Sequence, residues 1–163
     1  MKVFNSEYLT NLTTLAVGKP RKRQHQNIHE SHKNLCQRLF NAIEPSSYIR
    51  PHMHGSDPKD ELLIAVRGLM VLVIFDDQGE VTESVRFAAS RTENGLAVGV
   101  EVPANTWHTV VSLEVGSILL EVKEGPFDPE RPKDLAPWAP DENGPDAKHY
   151  LERLNSRILG CLY

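Results

Sequence analysis

Residues 61–87 read ELLIAVRGLMVLVIFDDQGEVTESVRF, three short apolar runs separated by turn residues. Gly68 divides the first run from the second, and the DDQG turn at 76–79 divides the second from the third. Runs of about seven residues that are rich in Val, Ile and Leu and bounded by such turns indicate β-strands. The segment therefore predicts consecutive strands, with a hairpin at the DDQG turn.

The same pattern of short β-rich runs separated by turn residues extends over residues 36–123. We expect strands near 36–44, 48–54, 61–67, 69–75, 81–87, 98–103, 107–114 and 117–123. Short strands with turns every 8–12 residues or so predict an all-β sandwich, barrel or jelly roll.

The two flanks of this region are expected to be different. Residues 6–16 predict a short helix with Ser6 as its N-cap. The Pro-rich stretch 125–140 predicts coil around the barrel, because proline lacks the N–H that a sheet interior needs. A final helix is expected from Pro145 in its first turn to about Ile158. We therefore expect one domain over 1–163, with a core barrel at 36–123, a helix and basic loop at 1–35, and a coil and helix at 124–163.

Composition excludes several classes of protein. The chain has 163 residues and a mass of 18.3 kDa, with 40% hydrophobic and 25% charged residues, which is typical of a globular domain. A net charge of -4 argues against nucleic-acid binding, and no apolar run approaches the roughly 20 residues that span a bilayer. Because residues 1–10 also lack an apolar signal core, we expect a cytoplasmic protein.

The chain has two cysteines, too few for a disulfide framework or a cysteine metal site. We expect Cys36 to be a small buried apolar residue and Cys161 to be a thiol of the tail.

A histidine pair in YIRPHMHG, residues 48–55, is the strongest sign of chemistry. His52 and His54 are two apart on an expected strand, so their side chains share a face. Glu61 opens the next apolar strand, and His108 begins a later one. Three imidazoles and a carboxylate suit one divalent transition metal, such as Zn, Fe, Mn or Ni.

These residues also resemble the two cupin motifs. Residues 46–68 resemble G-x5-H-x-H-x3–4-E-x6-G, and residues 97–112 resemble G-x5-P-x-G-x2-H-x3-N. The matching positions are His52, His54, Glu61, Gly68, Pro103 and His108. The departures are Ser46, Ala97 and Asn105 in place of glycine, and Ser112 in place of asparagine.

Two of these details affect the ligand set. Asn105 tolerates the left-handed conformation that the turn requires. The six residues between His54 and Glu61 exceed the usual spacing and leave Asp57 or Asp60 as rival ligands. The spacing from Glu61 to Gly68 keeps the motif's register, which favours Glu61.

A wider resemblance covers about residues 5–155. The segments that carry it are RKRQHQNIH, CQRLFNAIEPSSYIRPHMH, VEVPANTWHTVVSLE, EVKEGPFDP and APWAP. They resemble the WbuC family of cupin-fold metalloproteins, whose members are often encoded with bacterial O-antigen genes. The resemblance implies a cupin jelly roll with a metal site, and a loose link to lipopolysaccharide or other surface-polysaccharide synthesis. Many cupins pair through sheet edges, so it also favours a homodimer.

Strand alternation suggests further residues near the metal. Tyr48 and Arg50 should face the same side as the histidine pair if the strand is regular. Arg50 then either holds an anionic substrate or forms a structural salt bridge.

Glu121 and Lys123 share one face of a central strand. Burying them unpaired is costly, so they pair with each other or with Arg38 or Arg50, or they transfer protons in the cavity. Arg38 is accordingly also a candidate substrate contact.

The N-terminal basic run at 19–33 is either a solvated loop or an anion-binding lip, for example for a phosphate. Asn27 and His29 follow it, and they either fold over the cavity mouth to contact a ligand or lie exposed. Lys59 is either a rim charge or a substrate contact.

Two classes of function follow from this pattern. The first is a small metalloenzyme acting on a sugar, a sugar-nucleotide or another oxygen-rich metabolite. It would work as an isomerase or epimerase, with Tyr48, Arg50, Glu121 and Lys123 as catalytic candidates, or as an Fe(II) dioxygenase. The second is a noncatalytic cupin that binds or senses a saccharide through its metal.

Overall fold

The computed structural model describes residues 1–89 and 95–160, so Cys161 lies outside the described residues. Within those ranges the chain forms two helices and ten strands. In chain order they are α1 Ser6–Gly18, β1 Arg23–Asn27, β2 Cys36–Ile43, β3 His52–Met53, β4 Glu61–Arg67, β5 Leu69–Phe75, β6 Val81–Ala88, β7 Gly99–Val102, β8 His108–Ser112, β9 Ser117–Glu124, β10 Asp134–Leu135 and α2 Ala147–Gly160.

The strands form two five-stranded sheets, in which every pairing between the named strands is antiparallel. The first has the order β1-β2-β9-β4-β7 and the second the order β10-β3-β8-β5-β6. Neighbours such as β2 and β9 are far apart in the chain, as expected of a jelly roll rather than a simple meander. Buried apolar side chains from both sheets meet in one cluster, which includes Leu63 and Leu119 from the first sheet and Met70, Leu72 and Phe87 from the second. The all-β prediction is confirmed.

The two helices cover different parts of the sheets. Helix α1 buries Leu12 and Ala16 in a cluster with β2 and β9. Its N-cap is Asn5 and not Ser6, because the Asn5 side chain accepts a hydrogen bond of 2.9 Å from the backbone N–H of Tyr8. Helix α2 packs on β5 and β8 through residues at helical spacing, Ala147, Leu151, Leu154 and Ile158. Neither helix is long and apolar enough to cross a membrane, a statement that covers the described residues.

Some expected elements differ in the structure. The strand expected at 48–54 shrinks to β3, and residues 48–51 form no strand. Pro51 has no N–H to donate to a sheet, which explains why the ladder begins only after it. The expected basic loop contains β1, and the expected coil contains β10. Cys36 is exposed rather than buried, since it begins β2 at an outward-facing position.

Gly68 provides a test of the turn between β4 and β5. Its φ is +76°, and a Cβ there would lie 3.0 Å from the Cα of Ser117. Gly68→Ala should therefore lower the free energy of unfolding by about 2 kcal/mol, through backbone strain and steric overlap. The matched control is Gly18→Ala at the end of α1, where an added Cβ meets nothing within 4 Å. Equal stability of the two variants in urea would contradict this prediction.

Candidate metal centre and ligand cavity

A cavity of about 340 Å³ is lined by residues of both sheets. Polar and charged side chains make up much of its wall. Those from the first sheet and the loops are Arg21, Arg23, His25, Asn27, His29, His32, Gln37, Asn41, Glu61, Glu121, Lys123 and Lys133, and the second sheet and its flank add His52, His54 and His108. Such a wall offers hydrogen-bonding and charged groups to a polar ligand.

Three of these residues converge on one point from opposite sheets. His52 in β3 pairs directly with His108 in β8, which brings the two rings to a centroid distance of 4.5 Å. Glu61 begins β4 in the other sheet. The ligand atoms offered by these three residues lie within 4.8 Å of one another, and the side chains are buried. The structure thus contains a group that could hold a metal ion, called the metal group below and formed by His52, Glu61 and His108.

Hydrogen bonds fix which ring nitrogen faces the centre. Nδ1 of His52 lies 3.0 Å from the carbonyl oxygen of Arg50, and Nδ1 of His108 lies 2.8 Å from that of Thr106. A carbonyl only accepts, so each Nδ1 carries a proton, and in the neutral form of the ring each Nε2 then keeps a free lone pair. This is the protonation state that a metal-binding imidazole requires.

His54 approaches the same carboxylate from another side. Its Nε2 is buried and lies 2.9 Å from Oε1 of Glu61, yet it makes no hydrogen bond within the described chain. Nε2 of His108 lies 3.3 Å from Oε2 of Glu61. Adjacent ligands on an ion with bonds of about 2.1 Å lie about 3.0–3.4 Å apart, so these contacts fit a divalent metal.

Next to this group, Lys123 links two buried carboxylates. Its Nζ lies 2.9 Å from Oε1 of Glu61 and 3.1 Å from Oε1 of Glu121. The register explains the contacts, because Glu61 pairs with Lys123, and Leu63 pairs with Glu121, across β4 and β9. Glu121 and Lys123 share the cavity face, as alternation predicts.

The neighbouring charges of Glu61, Lys123 and Glu121 shift one another's pKa values. Burial acts to raise the pKa of Glu61, but its contacts with His108 and His54 and the charge of Lys123 hold it well below its ordinary value. Burial raises the pKa of Glu121, and the charge of Glu61 raises it further. The two carboxylates raise the pKa of Lys123 in spite of its burial. Glu61 and Lys123 are therefore ionised, whereas Glu121 holds a proton more readily.

Tyr48 and Arg50 lie away from the cavity. The Tyr48 hydroxyl donates a 3.0 Å hydrogen bond to the carbonyl of Pro140, and its ring packs with α2. The guanidinium of Arg50 donates to the carbonyl of Ala136 through Nε and Nη2. The expectation that both face the metal is wrong in placement, because residues 48–51 form no strand and Ile49, between the two, is the residue that lines the cavity.

Two of the expected substrate contacts reach the cavity and two do not. Asn27 and His29 line it, and His29 is anchored through Nδ1, 2.8 Å from the carbonyl oxygen of Arg38. The side chain of Arg38 points outward from β2 and is exposed. Lys59 lies outside the lining, since its Nζ bonds Asp57 and the carbonyl of Pro126.

The rival carboxylates also lie elsewhere. Asp57 is paired with Lys59, and Asp60 accepts a 2.8 Å hydrogen bond from the backbone N–H of Ala104. Neither lines the cavity, so Glu61 is the carboxylate that faces the histidines. Asn105 has a φ of +60°, the conformation expected of it.

Sequence reasoning missed several wall residues, of which Lys133 and Asn41 matter most, whereas Arg23 belongs to the basic run that was expected to be an anion-binding lip or a solvated loop. Lys133 lies in the Pro-rich stretch, where no periodicity reveals the direction of a side chain. Asn41 follows Gln37 and Leu39 at alternate positions of β2, so strand alternation could have placed it on their face.

Glu142 gives a pH-dependent test of the cavity wall. It accepts hydrogen bonds from Nη2 of Arg23 and from the backbone N–H of Arg50. Burial acts to raise its pKa, but these bonds and the charge of Arg23 lower it below the ordinary 4.5. Glu142→Gln should cost about 2 kcal/mol of unfolding free energy at pH 7. The cost should shrink as the pH falls below 4.5, because the wild-type carboxylate then takes up a proton and loses its advantage.

The matched control is Asp141→Asn, whose side chain is 68% exposed and 3.8 Å from Arg50. Urea unfolding between pH 3 and 8 measures both variants. A cost for Glu142→Gln that stays constant over that range would contradict the prediction.

Solved structures with this architecture include three with useful superpositions. Protein SO0799 from Shewanella oneidensis has a TM-score of 0.53 at 11% identity, over 68% of this chain and 72% of that one. TT1209 from Thermus thermophilus has a TM-score of 0.51 at 18% identity, over 76% and 97%. CapF, a capsular polysaccharide assembling protein from Staphylococcus aureus, has a TM-score of 0.52 at 18% identity, over 70% and 31%. At these identities the likeness concerns the fold, which is that of the cupins.

The chain has no significant match among curated proteins. A family model described as a domain of unknown function, DUF6016, matches residues 4–87, just over half of the chain. The matched part includes His52, His54 and Glu61 and ends before His108. With its two antiparallel sheets, terminal helices and cupin-like relatives, the chain is a cupin-fold protein that belongs to the DUF6016 family.

Proposed function

We propose that this protein is a divalent-metal-dependent enzyme that acts on a sugar, a sugar-nucleotide or a similar oxygen-rich metabolite. The convergence of His52, Glu61 and His108 on one point in the wall of a polar cavity carries the proposal. His54 serves as a fourth ligand through its unpartnered Nε2. Zn, Fe, Mn and Ni all accept such a ligand set. When bound, the ion acts as a Lewis acid and lowers the pKa of a ligated hydroxyl or water.

Glu121 is the proton-transferring group of the proposal. It lines the cavity beside the metal group, and its raised pKa brings it closer to the range in which a carboxyl group exchanges protons. In an isomerisation it removes a proton from one carbon of the ligand and returns it to the neighbouring carbon, and in an epimerisation it removes the proton while water supplies another on the opposite face. Lys123 stays charged, holds Glu121 and Glu61 in position, and donates its remaining N–H to the ligand.

The polar wall supports an oxygen-rich ligand. Oδ1 of Asn41 is buried and has no hydrogen-bond partner among residues 1–89 and 95–160, although Asn41 lines the cavity. A hydroxyl group of a sugar would donate to this acceptor. Asn27 and His29 offer further polar contacts nearby. The resemblance to the WbuC family supports a ligand from bacterial O-antigen synthesis and a protein that acts in the cytoplasm.

A noncatalytic, saccharide-binding cupin is the second candidate. It is favoured by the salt bridges of Lys123, which satisfy Glu61 and Glu121 within the chain itself. In that case the same cavity binds a ligand, and Glu121 transfers no proton.

Turnover measurements separate the two candidates. Metal-loaded protein is incubated with pooled sugar-nucleotides, and the products are followed by mass spectrometry and by exchange of solvent deuterium. We expect metal-dependent turnover that Glu121→Gln lowers by about 100-fold or more. The matched control is Glu124→Gln, an exposed residue at the end of β9. Ligand binding without turnover would favour the noncatalytic candidate, and full activity of Glu121→Gln would overturn the role of Glu121.

A further inference from the structure

We infer that the entrance of the cavity binds a phosphate group of the ligand, held by Lys133 together with Arg21 and His25. This inference deepens the proposed function and rests on it in one respect, that the cavity is the ligand site. The metal group plays no part in the phosphate contacts.

Lys133 is the central observation. It lies just before β10, lines the cavity and is largely shielded from solvent. Among the described residues its Nζ makes no hydrogen bond and no salt bridge, unlike Lys59 and Lys123, the other partly buried lysines near the cavity. A shielded ammonium group without a partner destabilises the fold unless an anion from outside the chain meets it.

The position of Lys133 places that anion between the metal group and the rim. Residue 133 directly precedes β10, in which Leu135 pairs with His52 and Asp134 pairs with Met53 of β3. Lys133 also lines the cavity together with Arg21 and Arg23, and both arginines form ion pairs with Glu142. Lys133 therefore lies on the cavity wall between the histidines and the rim.

Charge complementarity favours a phosphate over a singly charged group. Arg21, Arg23 and Lys133 bring three positive charges to the entrance, and Glu142 brings one negative charge. The excess of two positive charges matches a phosphate dianion. His25 lines the same wall, and burial together with the charges of Arg21 and Arg23 lowers its pKa, so its ring is a neutral hydrogen-bonding group.

A second depression explains how a longer ligand would fit. It has a volume of about 380 Å³ and shares Arg21, Arg23 and His25 with the main cavity. Lys19, Gln24 and Asn143 complete its wall on the outer side. A phosphate ester at the shared wall would place a sugar toward the metal group and leave the second substituent of the phosphate in the outer depression. The ligand class is thus a sugar phosphate or a nucleotide-linked sugar.

Phosphate binding to metal-stripped protein tests the inference. Chelated protein is titrated with inorganic phosphate and observed by ³¹P NMR and calorimetry, so that no metal can hold the anion. We expect millimolar binding to the wild type, at least about tenfold weaker binding to Lys133→Met, and near wild-type binding to Lys133→Arg. The matched control is Lys148→Met on α2, where the lysine side chain is 88% exposed.

Stability provides the second readout. Since Lys133 has no partner in the chain, Lys133→Met and Lys133→Gln should melt at or above the wild-type temperature, whereas a structural lysine would lower it. Wild-type protein that binds no phosphate, or variants that bind it as tightly as the wild type, would overturn the inference.

Separate arms identify the source of the phosphate and keep the two proposals apart. Glucose 1-phosphate and a nucleoside diphosphate are titrated alongside inorganic phosphate, with acetate as the carboxylate probe. Tighter binding of the nucleotide indicates that the outer depression is used, and equal binding of acetate overturns the preference for phosphate. A His52→Ala, His108→Ala double variant should bind phosphate normally, so a failed metal site and a failed phosphate site give different results.

Discussion

Replacing His108 by alanine should lower the affinity of the protein for Zn²⁺ or Mn²⁺ by at least about 100-fold. Mutating a residue that only hydrogen-bonds to a metal ligand already lowers metal affinity by about 10–100-fold, and His108 is itself one of the converging ligands. His108 is buried, its Nδ1–H is bonded to the Thr106 carbonyl, and its Nε2 lies 3.3 Å from Oε2 of Glu61. The alanine variant loses one of the three converging ligands and leaves His52 and Glu61 facing a cavity. Competition with a chromophoric chelator at pH 7.5 measures the change.

The control for this variant is His149→Ala, which removes an exposed histidine of α2. It should bind metal as tightly as the wild type. Equal affinities of the His108 and His149 variants would show that the metal binds elsewhere.

Lys123→Met should cause the largest loss of stability. It removes the cation that lies between Glu61 and Glu121 and leaves two carboxylates facing each other in a shielded site. Removing one partner of a buried ion pair costs about 3–5 kcal/mol, and we expect a loss in that range for metal-free protein in urea. A bound divalent cation would replace part of the missing charge, so the loss should be smaller when metal is present.

Two further variants test the cause of that loss. Adding Glu121→Gln to Lys123→Met removes one of the repelling carboxylates and should restore part of the stability. Lys148→Met, which changes an exposed lysine, should unfold like the wild type. If Lys123→Met were as stable as Lys148→Met, the charges around Glu61 would not be coupled as the distances indicate.

The predictable part of this fold followed from local patterns. The turn at 76–79 and the apolar runs beside it fixed β5 and β6, because short-range hydrophobic patterning and turn chemistry determine hairpins. The convergence of His52, Glu61 and His108 was predictable from their two motifs. His52 and His108 stand at strand starts in recognisable motifs, and the structure pairs them directly.

The failed expectations share one physical cause, a departure from regular alternation. The expected placement of Tyr48 and Arg50 requires a strand through residues 48–54, whereas the ladder begins after Pro51. Both side chains instead donate hydrogen bonds to the C-terminal segment, Tyr48 to the carbonyl of Pro140 and Arg50 to the carbonyl of Ala136. Nothing local in the sequence reports such contacts, which join residues about ninety positions apart.

Strand β1 and the cavity position of Lys133 could not be predicted from local sequence patterns, for related reasons. Segment RQHQN of β1 has no apolar residue, because its cavity side is polar and its other side is partly in solvent, so hydrophobic periodicity does not mark it. Lys133 reaches the cavity because β10 pairs with β3, a contact between segments that are eighty residues apart. Such long-range pairings depend on the whole fold and not on nearby residues.

The location of a bound metal tests the central claim most directly. Crystals of the protein loaded with one equivalent of Mn²⁺ or Zn²⁺ would be measured at the absorption edge of the metal. We expect one anomalous peak about 2.0–2.3 Å from Nε2 of His52, Nε2 of His108 and an oxygen of Glu61, with His54 completing the set. A protein that binds no metal in solution, or a peak away from these side chains, would contradict the claim.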